Sequence, residues 1–131
     1  MGKITKGSCL CGAITYEING DLRPIVACHC TQCRKTSGHF AAATQTEQKN
    51  IAIKGDTLRW FRSSDAAERG FCSRCGSNLF WRRINATHIS IWAGSIDGPT
   101  ELRVQGQLHT ESAGDYYDLP DIPIIDQSSL R

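Results

Sequence analysis

A chain of 131 residues has the size of one ordinary domain and leaves little room for two. With 40% hydrophobic and 21% charged residues it has the balance of a soluble globular protein, which excludes a disordered chain. A formal charge of +2 is too small and too scattered to point to nucleic acid. No apolar run approaches the ~20 residues of a membrane span. The opening residues, Met1 to Lys6, lack the apolar core of a signal peptide. A cytoplasmic protein without a membrane segment is expected.

In chain order, Ala13 to Ile18 alternates, with Ile14, Tyr16 and Ile18 on one face, and predicts a strand. Asn19-Gly20-Asp21 supplies a turn. Ile25-Val26-Ala27 is a short apolar run leading into a cysteine group, and Thr31 to Ser37 has room for a short helix after it. Phe40 to Thr46, Ile51 to Ile53 and Leu58 to Arg62 are short strands, with a turn at Lys54-Gly55-Asp56. Ser64 to Glu68 offers another single helical turn. Asn78 to Arg83 and His88 to Trp92 predict a pair of strands around Asn85-Ala86-Thr87. From Tyr116 onward, Pro120 and Pro123 indicate an extended tail. Many short strands with frequent turns, and no long helical period, predict one all-β domain over residues 1–131.

The seven cysteines carry the chemistry. An odd number rules out a fully paired disulfide framework within one chain, and clustered thiols in a reducing compartment more often bind metal. They fall in three tight groups: Cys9 with Cys11, then Cys28, Cys30 and Cys33, then Cys72 with Cys75. In extended backbone, positions i and i+2 face one side, so Cys9 and Cys11 point together, as do Cys28 and Cys30. Cys72-x-x-Cys75 followed by Gly76 presents two thiolates from one tight turn. Cys9, Cys11, Cys72 and Cys75 together make the four ligands of a closed structural zinc. Cys28, Cys30 and Cys33 then remain as three ligands with one open position, the arrangement of a reactive zinc. Two other readings of the trio stand beside this one: a closed structural site completed by His29 or His39, and an empty, redox-active trio.

His29 lies between two ligands, and strand alternation turns it away from their metal toward a supporting role. His39 is either an acid–base group or a surface residue. Arg34 and Lys35 directly follow Cys33 and are either steering charges for an anionic substrate or solvated surface. Trp60, Trp81 and Trp92 lie in strand segments and are expected in the core.

Three segments carry a resemblance. They are Gly7-Ser8-Cys9-Leu10-Cys11-Gly12-Ala13, Cys28-His29-Cys30-Thr31-Gln32-Cys33-Arg34-Lys35 with Ser37-Gly38, and Arg69 to Ser77 running on through Leu79-Phe80-Trp81. Together, in order over about residues 6–97, they resemble the glutathione-dependent formaldehyde-activating enzyme family, which includes the centromere protein V group. The resemblance implies a β-tent fold with zinc knuckles, similar to methionine sulfoxide reductase B and the thalidomide-binding domain of cereblon. It implies a structural zinc in the four-cysteine set and a catalytic zinc in the three-cysteine set; two zinc ions per chain are expected, the open site partly occupied. It also implies a carbon–sulfur lyase of the S-(hydroxymethyl)glutathione synthase kind, joining glutathione to formaldehyde in aldehyde detoxification. The chain departs from the family pattern near its end, where Tyr116-Tyr117 stands ahead of Asp118-Leu119-Pro120 in place of a tryptophan.

The expected partners are therefore a small-molecule thiol and a small aldehyde, or their adduct. A second reading is a non-catalytic zinc scaffold that binds a protein or a nucleic acid. The absence of a basic tail or stripe points away from nucleic acid.

Overall fold

The computed structural model describes residues 3–126; Met1, Gly2 and residues 127–131, the end of the expected tail, lie outside it. It is a β structure with little helix. The chain divides into two compact units: Met1–Arg23 with Thr44–Glu101, and Pro24–Ala43 with Leu102–Arg131.

In the first unit, β1 (Ile4–Ser8), β2 (Thr15–Asn19) and β5 (Ile51–Lys54) form an antiparallel sheet in the order β1-β2-β5. β2 buries alternate residues, as its sequence pattern predicts, so Tyr16 and Ile18 enter the core while Thr15 and Glu17 stay outside. A second antiparallel run, β6 (Leu58–Arg62), β7 (Ala67–Cys72), β8 (Asn78–Arg83) and β9 (His88–Trp92), pairs each strand with the next. Ile14, Tyr16, Ile18, Leu79, Phe80, Ile89 and Ile91 fill the core, joined by Cys9 and Cys72. The Tyr16 and Phe80 rings meet edge to face at 5.5 Å. Each such side chain contributes about 1.5–3 kcal/mol by leaving water. Gly7 is required beneath Tyr16, because a Cβ there would run into the ring and its hydroxyl.

Two expectations need correction. Ser64 to Glu68 is a hairpin turn, not a helical one. The Ser64 hydroxyl accepts from the Ala66 and Ala67 amides, both at 3.1 Å, and so closes the β6–β7 connection. The strand β7 itself is unannounced in the sequence, since charged residues interrupt it. They are satisfied across the sheet: Glu68 stands opposite Arg82 and accepts from its Nε at 2.8 Å, while the Arg82 guanidinium lies 3.7 Å from the Trp60 ring centroid. Trp60 is also stacked near Phe80, packing against the core as expected.

In the second unit, β3 (Ile25–Cys28) lies between β10 (Val104–Leu108), which is parallel to it, and the start of β4 (Ala41–Glu47), which is antiparallel. All three apolar residues of β3 are buried, which explains an apolar run without alternation. The helix α1 (Thr31–Ser37) follows β3 and ends at Gly38, whose φ of 79° is left-handed and whose amide bonds Arg34 O. Seven residues are too few for a helix in isolation, so its caps and the buried Cys33 hold it in place. The expected tail from Tyr116 docks beside β10: the Gln107 amide bonds Pro123 O at 3.0 Å, and the Ile125 amide bonds Gln107 O at 2.9 Å. Among the described residues, no helix is long and apolar enough to cross a membrane.

Candidate functional site

The four-cysteine set belongs entirely to the first unit. Cys9 and Cys11 follow β1, and their sulfurs come close together, but not through the expected extended geometry. The segment is a turn, with the Gly12 amide on Cys9 O at 3.1 Å, not extended strand. The turn leaves Leu10 on the surface at 88% exposure. Cys72 ends β7, and the Gly76 amide returns to Cys72 O at 2.8 Å, the knuckle expected of its spacing.

The four Sγ atoms lie within 4.8 Å of one another. Cys9 and Cys11 are 3.6 Å apart and Cys11 and Cys72 are 3.8 Å apart. Those separations are too long for a disulfide and match the edge of a tetrahedron with metal–sulfur bonds of ~2.3 Å, about 3.8 Å. All seven cysteines are unbridged.

Surrounding donors favour thiolates here. The Ile14 amide lies 3.3 Å from Cys9 Sγ, and the Arg74 amide lies 3.4 Å from Cys72 Sγ. The Thr57 hydroxyl holds the Cys72 thiol below its ordinary range, and Ser77 brings Cys75 down to about 5. Cys11 goes the other way. Its Ala13 amide favours the thiolate, but desolvation and the neighbouring Cys9, Cys75 and Cys72 push it up to about 11. Four thiolates cannot crowd one another without a cation, so this donor set fits a metal ion.

The three-cysteine set belongs to the second unit. Cys28 ends β3, Cys30 caps α1, and Cys33 sits buried in the first turn of the helix. Their Sγ atoms also lie within 4.8 Å of one another. The Cys33 amide bonds Cys30 Sγ at 3.3 Å, so one sulfur serves as helix cap and candidate ligand together. Contacts with Cys30 and Cys33, then burial, push the Cys28 thiol far up, so this set too is comfortable as thiolates only around a cation. Among the described residues, no histidine or carboxylate joins either set.

His29 is fully buried, with Nδ1 2.7 Å from the Tyr117 hydroxyl and Nε2 2.9 Å from Gln107 Oε1. Both ring nitrogens are engaged, which assigns it the supporting position and not a place among the ligands. His39 is exposed, its ring 4.2 Å from Tyr117 and 4.4 Å from Phe40. Arg34 is not simply solvated: its Nε donates to Ser112 O at 3.2 Å, whereas Lys35 is exposed. Sequence reasoning missed Gln107 and the bond from Tyr117 to His29. A glutamine in a short polar stretch gives no sign of burial, and a sequence separation of 78 between Gln107 and His29 hides the pair.

The family model described as glutathione-dependent formaldehyde-activating enzyme matches residues 4–112. An uncharacterized lyase of Schizosaccharomyces pombe is 28% identical over 117 residues, covering 86% of this chain and 83% of that protein. A Halomonas elongata protein whose name assigns it to the glutathione-dependent formaldehyde-activating enzymes is 31% identical over 86 residues, covering 59% of this chain and 55% of that protein. A crystal structure of a Rhodobacter sphaeroides protein shares the fold, with a TM-score of 0.60 and 24% identity over 73% of this chain and 91% of that one.

Proposed function

The chain belongs to the glutathione-dependent formaldehyde-activating enzyme family, and from that premise we propose that it is a zinc-dependent carbon–sulfur lyase or synthase. Its substrates are a thiol, glutathione, and a small aldehyde such as formaldehyde, or their adduct. In the synthetic direction, the thiol sulfur bonds the aldehyde carbon, the carbon–oxygen π bond opens, and the thiol proton ends on the new hydroxyl. The reverse step breaks the carbon–sulfur bond and returns the proton to sulfur.

One observation carries this reading: Cys28, Cys30 and Cys33 bring three sulfurs together, and among the described residues no fourth cysteine, histidine or carboxylate joins them. A zinc ion held by three thiolates would offer its remaining position to a substrate thiol and favour the loss of its proton. The three cysteines already bring negative charge, which weakens Lewis acidity toward an aldehyde oxygen and favours activation of the thiol. Lys35, exposed one turn into α1, is available to draw an anionic thiol toward the trio. Cys9, Cys11, Cys72 and Cys75 hold the second zinc, with a structural role. The unbridged thiols suit a reducing compartment, and the proposed location is the cytoplasm.

The test is a panel of thiols and aldehydes with zinc-loaded protein, read by mass spectrometry of the adducts. Formation of S-(hydroxymethyl)glutathione at a rate above the uncatalysed reaction is expected. No acceleration with any pair, at full zinc content, leaves a zinc scaffold as the better reading.

A further inference from the structure

We propose that the buried His29 ring, strung between Gln107 and the Tyr117 hydroxyl, clamps the C-terminal segment to the three-cysteine set and tunes how tightly that set holds its metal.

The direction of every bond in this chain can be deduced. Gln107 Nε2 lies 2.9 Å from Pro120 O and 3.0 Å from Ile122 O. Carbonyl oxygens only accept, so both amide hydrogens of Gln107 are committed to them and its Oε1 is the atom facing His29. His29 Nε2 must then carry the proton and donate. Its Nδ1 is left as an acceptor, which the Tyr117 hydroxyl supplies with a hydrogen. Two backbone carbonyls of the C-terminal segment thereby select the tautomer of a ring set between two candidate ligands.

The clamp reaches both arms of the trio. At the strand end, His29 joins Cys28 to Cys30, its own amide bonds Leu108 O at 3.0 Å, and its ring stacks against Tyr117 and meets the edge of Phe40. With main chain and ring both held, the peptides carrying Cys28 and Cys30 have little freedom to rotate. At the helix, the Tyr116 hydroxyl donates to Gly38 O at 2.8 Å, on the residue that caps the helix bearing Cys33. Adjacent tyrosines of one segment thus hold the two pieces of chain that must stay together for three sulfurs to converge. Partners behind a ligand set typically change metal affinity by 10–100-fold. His29 and Tyr117 are positioning residues in this arrangement.

The inference rests on the proposed function only in requiring that the trio bind metal. The experiment uses the full chain, titrated with zinc against a chromophoric chelator and with cobalt to follow the visible spectrum of each set. The variants are Tyr117→Phe, which deletes one hydroxyl, and Gln107→Glu, which places a carboxylate before two carbonyls. The expected result for Tyr117→Phe is about tenfold weaker metal binding at the trio. Its cobalt spectrum should be altered, the His29 Nδ1 resonance should shift by nitrogen NMR as it loses its donor while the proton stays on Nε2 facing Gln107, and the four-cysteine set should be unchanged. Gln107→Glu should show a larger loss at the same set; if it does not fold, Tyr117→Phe decides. Unchanged trio affinity in Tyr117→Phe, or equal loss from both sets, overturns the clamp while leaving the proposed function standing. A wild-type protein that binds metal at the four-cysteine set alone overturns both.

Discussion

The two cysteine sets use the same ligand atom and stand in opposite relation to the fold. The four-cysteine set joins turns that lie 61 residues apart between Cys11 and Cys72, and two of its members, Cys9 and Cys72, are part of the hydrophobic core. The trio spans six consecutive residues and is framed by groups that are not ligands: a helix cap, a buried histidine and a docked segment. A metal in the first set would close a long loop, whereas a metal in the second closes a short one whose shape the surroundings already impose. Identical chemistry can therefore be a staple in one place and a site in the other.

Ligand deletion gives the largest contrast. Cys75→Ser should remove a structural metal worth on the order of 10 kcal/mol to folding and yield insoluble or poorly folded protein. Cys33→Ser should remain folded, keep one zinc and lose thiol-dependent activity. Thermal melting, zinc content and activity on both variants check the pair. Equal unfolding would make both sets structural and favour the scaffold reading.

A smaller effect localises stability to the first unit. Gly7→Ala places a methyl against the Tyr16 ring and should cost about 3 kcal/mol in denaturant unfolding. The affinity of the trio for metal, measured on the folded fraction, should not change.

Alkaline titration sharpens the same point. Burial raises the Tyr16 phenol to about 12, and its hydroxyl meets Ser95 Oγ at 2.6 Å. Its folded value lies above its unfolded value of ~10, so its contribution is complete below that pH and is lost as pH rises toward 12. The loss should be about 2 kcal/mol, and Tyr16→Phe, itself about 1 kcal/mol less stable at neutral pH, should show a flatter decline over that window. Parallel declines in both proteins would assign the alkaline transition to other groups.

The smallest effect belongs to the second unit. Lys35→Ala should leave stability within about 0.5 kcal/mol of wild type while raising KM for an anionic thiol at low salt with kcat unchanged. High salt should abolish the difference. Identical KM values at low salt would return Lys35 to ordinary surface.

The local thiol groups were readable because each lies within a few residues. Cys72-x-x-Cys75-Gly76 specifies its own turn, and Thr31 to Ser37 forms the expected helix because Cys30 and Gly38 cap it within the same stretch. The strands β2, β3, β4, β5, β6, β8 and β9 were legible from alternation or short apolar runs. β1, β7 and β10 were not: Lys6 and Gly7, Glu68 and Arg69, and Gln105 to Gln107 break any alternation, and their strand character comes from partners elsewhere in the chain.

The sequence by itself determined the three local thiol groups, because spacing of two or three residues settles which sulfurs can share a turn, whereas the meeting of Cys9 and Cys11 with Cys72 and Cys75 is made by the fold. It also determined a β architecture, through the shortness of its apolar segments and the frequency of its turns. Only the tertiary structure decided that Cys9 and Cys11 meet through a turn, that Ser64 closes a hairpin, and that His29 faces Gln107 and Tyr117. Those outcomes depend on hydrogen-bond donors and acceptors brought together across long loops. A side chain's partner is a property of the folded neighbourhood, and residue order alone does not contain its geometry.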